Sequence, residues 1–388
     1  MTGKTTTGKQ RHWYGVAGLV LAGFVLVACA GLGSGPGVGG TPPGVTPPPG
    51  VIGPKAFVLN RLSGNVSVID TVTNTVTTTI TVGTTPSAAV LLPSGTKLYV
   101  ANTGSDNVSV INTTTNTVIT TIAVGDAPVD IRALPGSTRV YVANSLSGNV
   151  SVIDTSTDTV TTTISVGTNP AALAVLPGGT KVYVANAGSN SVSVISTASQ
   201  TVTSTLPVGL NPLDLVATPG STKVYVANNV SNNVTVINTA DDTIAGTVPL
   251  PGGTGPRVVR VTPDGTRAYV LNNTSANISV IDTAADAVLS TISMLSSPVA
   301  MAFTPNSASA LVVLPFSDTV SVINVGTSGL QVNIVVGDEP NFIALTPAGV
   351  RGFVTNGASD NVSVIDPSTA TVVTTVAVGD NPVFVVVQ

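Results

Sequence analysis

Apolar and polar positions recur along this chain in one fixed order, seen most clearly over residues 180–221 (TKVYVANAGSNSVSVISTASQTVTSTLPVGLNPLDLVATPGS). Lys181–Asn186 is apolar on both faces, as a strand sandwiched between neighbouring sheets should be. Residues 192–195 are nearly as apolar, whereas residues 201–206 alternate threonine with mixed residues, the pattern of a half-exposed strand. The first run therefore lies well inside and the last outermost. A fourth strand, residues 213–218, follows Val208-Gly209-Leu210-Asn211-Pro212 and precedes the turn Pro219-Gly220-Ser221, where proline presets the turn dihedral.

Aligned on the segment Asn-Val-Ser-Val-Ile-Asp, the unit starts at Asn65, Asn107, Asn149, Ser191, Asn233, Asn277, Thr319 and Asn361, spaced 42 residues apart except for one step of 44 into the sixth copy. A period near 40 with several strands per unit points to a propeller or another repeat array. Four strands in a unit of this size make one propeller blade. The expected fold is all-β, a single closed β-propeller of four-stranded blades over residues 54–388.

The residues also carry a family resemblance. Tyr183-Val184-Ala185-Asn186, repeated from Tyr99, Tyr141 and Tyr225, together with Phe353-Val354-Thr355-Asn356 and the VGxxP segment, resembles the YVTN β-propeller repeat over essentially all of residues 54–388. The resemblance implies a propeller of the kind found in surface-layer and cell-surface proteins, with lactonases and redox-enzyme subunits among related propellers. It also implies that the innermost strand of each blade follows VGxxP and that the Tyr-Val-Ala-Asn strand comes second. On that register the chain opens with strands two to four of one blade (residues 55–82) and ends on an inner strand, residues 382–388, that completes the same blade. Closing a loop of roughly 330 residues costs about 5 kcal/mol. Burying five apolar residues returns roughly 8–15 kcal/mol as an upper bound, so the ring is expected to close. An open solenoid would need polar caps, yet the first and last copies are as apolar as the middle ones. The count gives eight blades, with seven, commoner in the family, as the alternative.

Residues 1–14 are polar and basic, and residues 15–28 (GVAGLVLAGFVLVA) run without a charge up to Cys29. This has the tripartite form of a secretory signal and falls short of the ~20 residues that span a bilayer as a helix. Leu26-Val27-Ala28-Cys29 resembles the lipobox of bacterial lipoproteins, which implies removal of residues 1–28, lipidation of Cys29 and anchoring at the outer or plasma membrane with the domain outside the cytoplasm. Lipidation also accounts for a lone cysteine in an exported chain. Residues 29–53 are Gly-rich and then Pro-rich, a composition that cannot bury a core and reads as a tether.

Without Lys4, Lys9 and Arg11 the chain keeps 11 basic against 18 acidic residues, a balance unsuited to a phosphate backbone, so no nucleic-acid partner is expected. The only histidine is His12, the only cysteine Cys29 and the only glutamate Glu339. Beyond Cys29, Ser-His and Cys-His pairs, zinc sites built on His or Cys, and His-ligated haem or copper are excluded. No Asp-x-Asp-x-Asp-Gly loop is present for Ca²⁺, and no metal or cofactor is expected.

Most repeated residues read as architecture. Asp70, Asp154, Asp282 and Asp366, with Asn112, Asn238 and Asn324, end the third strand before Thr-rich turns and read as turn caps. The tyrosines read as core, and the Asn-Val-Ser triplets as strand sequence rather than glycosylation sites. Function is sought where copies differ. The second and fourth residues after the proline opening each inner strand are mostly small or apolar but include Asp130, Arg132, Asp214 and Arg260. These four are candidates for ligand contacts in a central channel, or else form an internal salt-bridge set. Asp126, Asp338, Glu339 and Asp380 lie in loops entering inner strands and should share one rim. That rim also receives the lengthened loop 249–256 with Arg257 after it, and Phe316, where Leu314-Pro315-Phe316-Ser317 replaces an Asn-rich loop.

Three functions fit. The first is an envelope-anchored, non-catalytic propeller, monomeric, that binds an unknown protein or glycan at the cell surface. The second is a lactonase-like hydrolase using Asp and Arg, since the His or clustered Glu on which enzymatic relatives rely is missing. The third is a structural envelope-layer component, suggested by Thr-rich outer strands lacking the charges that blunt sheet edges.

Overall fold

A computed structural model describes residues 54–388; the expected signal segment, Cys29 and the tether lie outside the described residues. Thirty-two strands form eight four-stranded antiparallel sheets arranged as the blades of one propeller. Blade II shows the plan from the axis outward: Pro86–Leu91, Lys97–Asn102, Asn107–Asn112 and Thr117–Ala123. The inner strands of blades III to VIII are Pro128–Ala133, Pro170–Val175, Pro212–Ala217, Pro256–Val261, Ala300–Phe303 and Pro340–Leu345. Blade I takes Lys55–Asn60, Asn65–Asp70 and Thr75–Thr81 from the start of the described chain and its inner strand, Pro382–Val387, from the end. The eight-blade count and the expected closure both hold, and seven blades is excluded.

Closure is a full ladder. Ala56 pairs with Val387, Phe57 with Val386, Val58 with Val385 and Leu59 with Phe384. It continues past both ends, with Gln388 N–H donating to Lys55 O at 2.8 Å and Arg61 N–H to Asn381 O at 2.9 Å. Every residue of Lys55–Asn60 and of Pro382–Val387 is buried, so residues 54–388 hold their own core and both of its ends.

The burial gradient follows the sequence pattern. The Tyr-Val-Ala-Asn strands are buried almost throughout, while outer strands such as Thr75–Thr81 alternate exposed and partly covered positions. At the top of each repeat sits a tight contact. Asn102 Nδ2 donates to Asn107 Oδ1 at 2.8 Å and to Ser109 Oγ at 2.9 Å, and a Cβ placed on Gly83 would stand 2.7 Å from the Asn102 side chain. The glycine of VGxxP is therefore fixed by close approach. Blade VII departs at both partners together, with Leu295 standing for the glycine and buried Leu314 for the asparagine.

Antiparallel order gives the ring two faces. The loops entering inner strands and those joining second to third strands lie on one face, called upper here; the other loops lie on the lower face. On the lower face the basic residue opening a second strand reaches the next blade. Lys97 Nζ meets Asp158 at 2.7 Å and Thr155 O at 2.8 Å, Lys181 meets Asp242 at 2.8 Å, and Lys223 meets Asp286 at 2.7 Å. The buried tyrosine two residues on donates to the same carboxylate: Tyr99 to Asp158 and Tyr183 to Asp242 at 2.5 Å, Tyr225 to Asp286 at 2.6 Å. Burial and these carboxylates push all three phenols above their ordinary pKa, keeping them protonated donors. Lys55, Arg139 and Arg267 make the equivalent reach to Thr113 O, Thr197 O and Val325 O.

The turn caps form as expected. Asp70 Oδ1 accepts Val72 and Thr73 N–H, and Asn112 Oδ1 accepts Thr114 and Thr115 N–H, at 2.8–3.0 Å. The Ser156 hydroxyl and amide hold the Asp154 carboxyl below the usual carboxylate range, and the Ala285 and Ala284 amides do the same for Asp282.

Removing residues 382–388 exposes the whole flank of Lys55–Asn60. The expected outcome is a loss of at least about 5 kcal/mol of stability, most of the apolar transfer free energy of that strand. Thermal and urea unfolding of the truncated chain check this, and an unchanged midpoint contradicts it.

Candidate functional site

The second and fourth residues after the start of each inner strand, counted from the proline, pack on the following blade rather than into an open channel. At the second position Ala88, Ala172, Val258 and Ala300 are buried, Phe342 stacks on Phe384 with centroids 4.3 Å apart, and Asp130 and Asp214 are sealed at 0% and 2% exposure. Each aspartate faces the following blade rather than open space. Asp130 Oδ2 accepts the Leu173 N–H at 2.8 Å, its Oδ1 accepts its neighbour Ile131 N–H at 2.7 Å, and Arg132 lies 3.3 Å away. Asp214 Oδ2 accepts the Val259 N–H at 3.0 Å and the Arg260 Nη1 at 2.5 Å, while that same Nη1 donates to Val259 O. Arg132 Nε in turn donates to Leu173 O.

The four channel candidates thus form two ion pairs in which an aspartate bonds the inner-strand backbone of the next blade, with the arginine supplied by its own strand for Asp130 (Arg132) and by the next blade for Asp214 (Arg260). Two carboxylates buried this deeply need such partners, because an unpaired charge there is far costlier. Burial pushes the Asp130 carboxyl above the usual range, against the pull of Arg132 and of the Leu173 and Ile131 amides. Arg257, half-buried at the head of its inner strand, has its guanidinium pushed down by burial.

The expected rim also exists. Asp126, Asp338, Glu339 and Asp380 stand exposed in the upper-face loops entering blades III, VIII and I. Their backbones are organised by neighbours: Ser147 Oγ accepts the Asp126 N–H, Ser359 Oγ the Asp338 N–H, Ser63 Oγ the Asp380 N–H, and Asp318 Oδ1 the Glu339 N–H. Phe316 lies in a 3-10 turn, Pro315–Ser317, and is 75% exposed. Among the described residues no group of three or more His, Cys, Asp or Glu is placed to hold a metal ion.

Sequence reasoning missed a pattern in the loops joining second to third strands. The residue before the loop serine is Leu62, Leu146, Val230 and Phe316 in blades I, III, V and VII, but Gly104, Gly188, Thr274 and Ala358 in blades II, IV, VI and VIII. The four large side chains are all exposed, between 57% and 76%. Aligning the copies on that serine, rather than on the strand, is the signal that finds it.

The family model described as a YNCE-like beta-propeller matches residues 126–223 and 297–385. That match and the ring of eight blades are consistent with a YVTN-like β-propeller repeat protein. Among solved structures, the propeller is similar to hydrazine synthase of Kuenenia stuttgartiensis, at 21% identity and a TM-score of 0.61, with 72% of this chain and 95% of that one covered. It is also similar to the dihydro-heme d1 dehydrogenase NirN in complex with DHE, at 16% identity and a TM-score of 0.74, covering 86% of this chain and 74% of that one. A functionally unknown protein from Desulfotomaculum acetoxidans aligns at 18% identity and a TM-score of 0.61, covering 74% and 98%. At these identities the likeness is one of fold. No curated protein matches the chain.

Asp214→Ala leaves Arg260 buried without its carboxylate and frees the Val259 N–H. The expected loss is about 3–5 kcal/mol, much of it recovered when Arg260→Met is added. Urea unfolding of the single and double variants measures it; a single variant as stable as the parent contradicts the assignment.

Proposed function

We propose that this propeller is an envelope-anchored, non-catalytic binding scaffold that presents its upper face to a partner. The observation that carries the reading is the separation of charge. The charged pairs of the inner strands are consumed in holding blades together, whereas Asp126, Asp338, Glu339 and Asp380 stand exposed on the upper-face loops beside the exposed Leu62, Leu146, Val230 and Phe316. A hydrolytic site needs a nucleophile or base that reaches substrate. Asp130 and Asp214 are instead bonded to backbone and arginine.

Topology supports the anchored orientation. The described chain enters at Pro54, whose carbonyl accepts the Thr71 N–H on the lower face. A lipid anchor on Cys29 would then join the domain at its lower face, opposite the upper-face loops. Exposed outer strands such as Thr117–Ala123 keep the envelope-layer role as the competing structural reading.

Two measurements test this. Metabolic labelling with a palmitate analogue should mark the parent and not Cys29→Ala. A panel of lactones and esters should show no turnover by the parent. Hydrolysis that is present in the parent and lost in a folded Asp130→Asn, Asp214→Asn variant overturns the scaffold reading in favour of the hydrolase.

A further inference from the structure

Large and small residues alternate from blade to blade in the upper-face loops joining second to third strands. Leu62, Leu146, Val230 and Phe316 differ in identity yet all are large, apolar and exposed, and each falls on an odd-numbered blade. The even blades hold only small residues at that position, among them Gly104 and Gly188. Around a ring of eight blades this puts four apolar knobs a quarter-turn apart, separated by low ground. Exposed apolar groups rimmed by polar ones mark interaction sites.

The electrostatics beside the knobs select the partner. Leu62 N–H donates to Asp380 O and Leu146 N–H to Asp126 O, so two knobs stand directly against an acidic residue of the entering loop. Asp338 and Glu339 extend the rim on blade VIII, and with Arg61 and Arg257 the only arginines among the described residues beside these loops, the rim is acidic on balance. The lower face differs, because several of its aspartates are neutralised by lysines across the blade boundaries. An acidic rim disfavours an anionic lipid surface and a second copy of the same face, and it favours cations.

We infer that the upper face is a docking surface for a basic polypeptide segment whose apolar side chains sit among the four knobs while its lysines or arginines meet the acidic rim. The inference rests on the scaffold reading and names its partner class. Residues 54–388, which contain the closed ring, suffice to test it.

The probe is a fluorescent peptide of alternating lysine and leucine blocks, titrated by anisotropy alongside a peptide with every lysine replaced by glutamate. The expected result is binding of the lysine peptide that weakens as salt rises, and no binding of the glutamate peptide. Two folded variants, Leu62→Ser with Leu146→Ser and Phe316→Ser, and Asp126→Asn with Asp338→Asn, Glu339→Gln and Asp380→Asn, should each weaken binding about tenfold or more. The lower-face variant Asp241→Asn should leave it unchanged. Equal binding of the two peptides, indifference to both upper-face variants, or tighter binding to phosphatidylglycerol vesicles than to the peptide overturns the inference. Failure here with no hydrolysis of lactones or esters removes the basic partner and leaves the scaffold reading in place; hydrolysis removes the scaffold itself.

Discussion

The pairing of Pro382–Val387 with Lys55–Asn60 is the constraint on which the rest of the molecule depends. Each blade buries its apolar faces only against a neighbour on either side, so an unclosed ring would leave two such faces open to water. Antiparallel pairing of the two ends seals blade I from both directions along the chain. The lower-face staples run out at blades VII and VIII: Ser309 opens the second strand of blade VII, and Arg351 of blade VIII turns back to Asp366 of its own blade, at 2.8 Å, instead of reaching blade I. There the stack of Phe342 on Phe384 and the bond from Asn341 Nδ2 to Pro382 O, 3.0 Å, take over.

Closure sorts the polar groups into two kinds. Those between blades are paired: lysine with aspartate and tyrosine on the lower face, aspartate with arginine and backbone on the inner strands. They fix the angle between sheets that apolar packing alone leaves slack, as the paired and hydrogen-bonded state of each requires. On the upper-face loops Asp106, Asp318 and Asp360 still brace the loop of the next blade, but the apolar side chains of Leu62, Leu146, Val230 and Phe316 carry no such duty and vary from copy to copy. This is the physical reason that recognition is sought on that face.

Much of the fold could be read from residues. The ranking of strands and the turn caps follow from the 42-residue period and its burial pattern, while the pairing of the two chain ends in one blade rests on the strand order that the resemblance to the YVTN repeat implies. Sites were less legible. Asp130 and Asp214 stood out as charges on an apolar strand, but a sequence does not say that their carboxylates bond the following blade, because that contact spans 43 and 45 residues. The paired change of Leu295 and Leu314 was likewise hidden, since the glycine and asparagine they replace touch only in three dimensions. The knobs escaped because Leu62 and Phe316 look unrelated until the loops are superposed on their serines.

Native-state hydrogen exchange on residues 54–388 tests the closed ring most directly. The amides of Pro382–Val387 that bond to Lys55–Asn60 should be protected to the same free energy as the matching inner-strand amides of Pro170–Val175 in blade IV, because all open only with the global fold. Exchange of the C-terminal strand at the rate of a frayed end, while blade IV stays protected, would contradict the account.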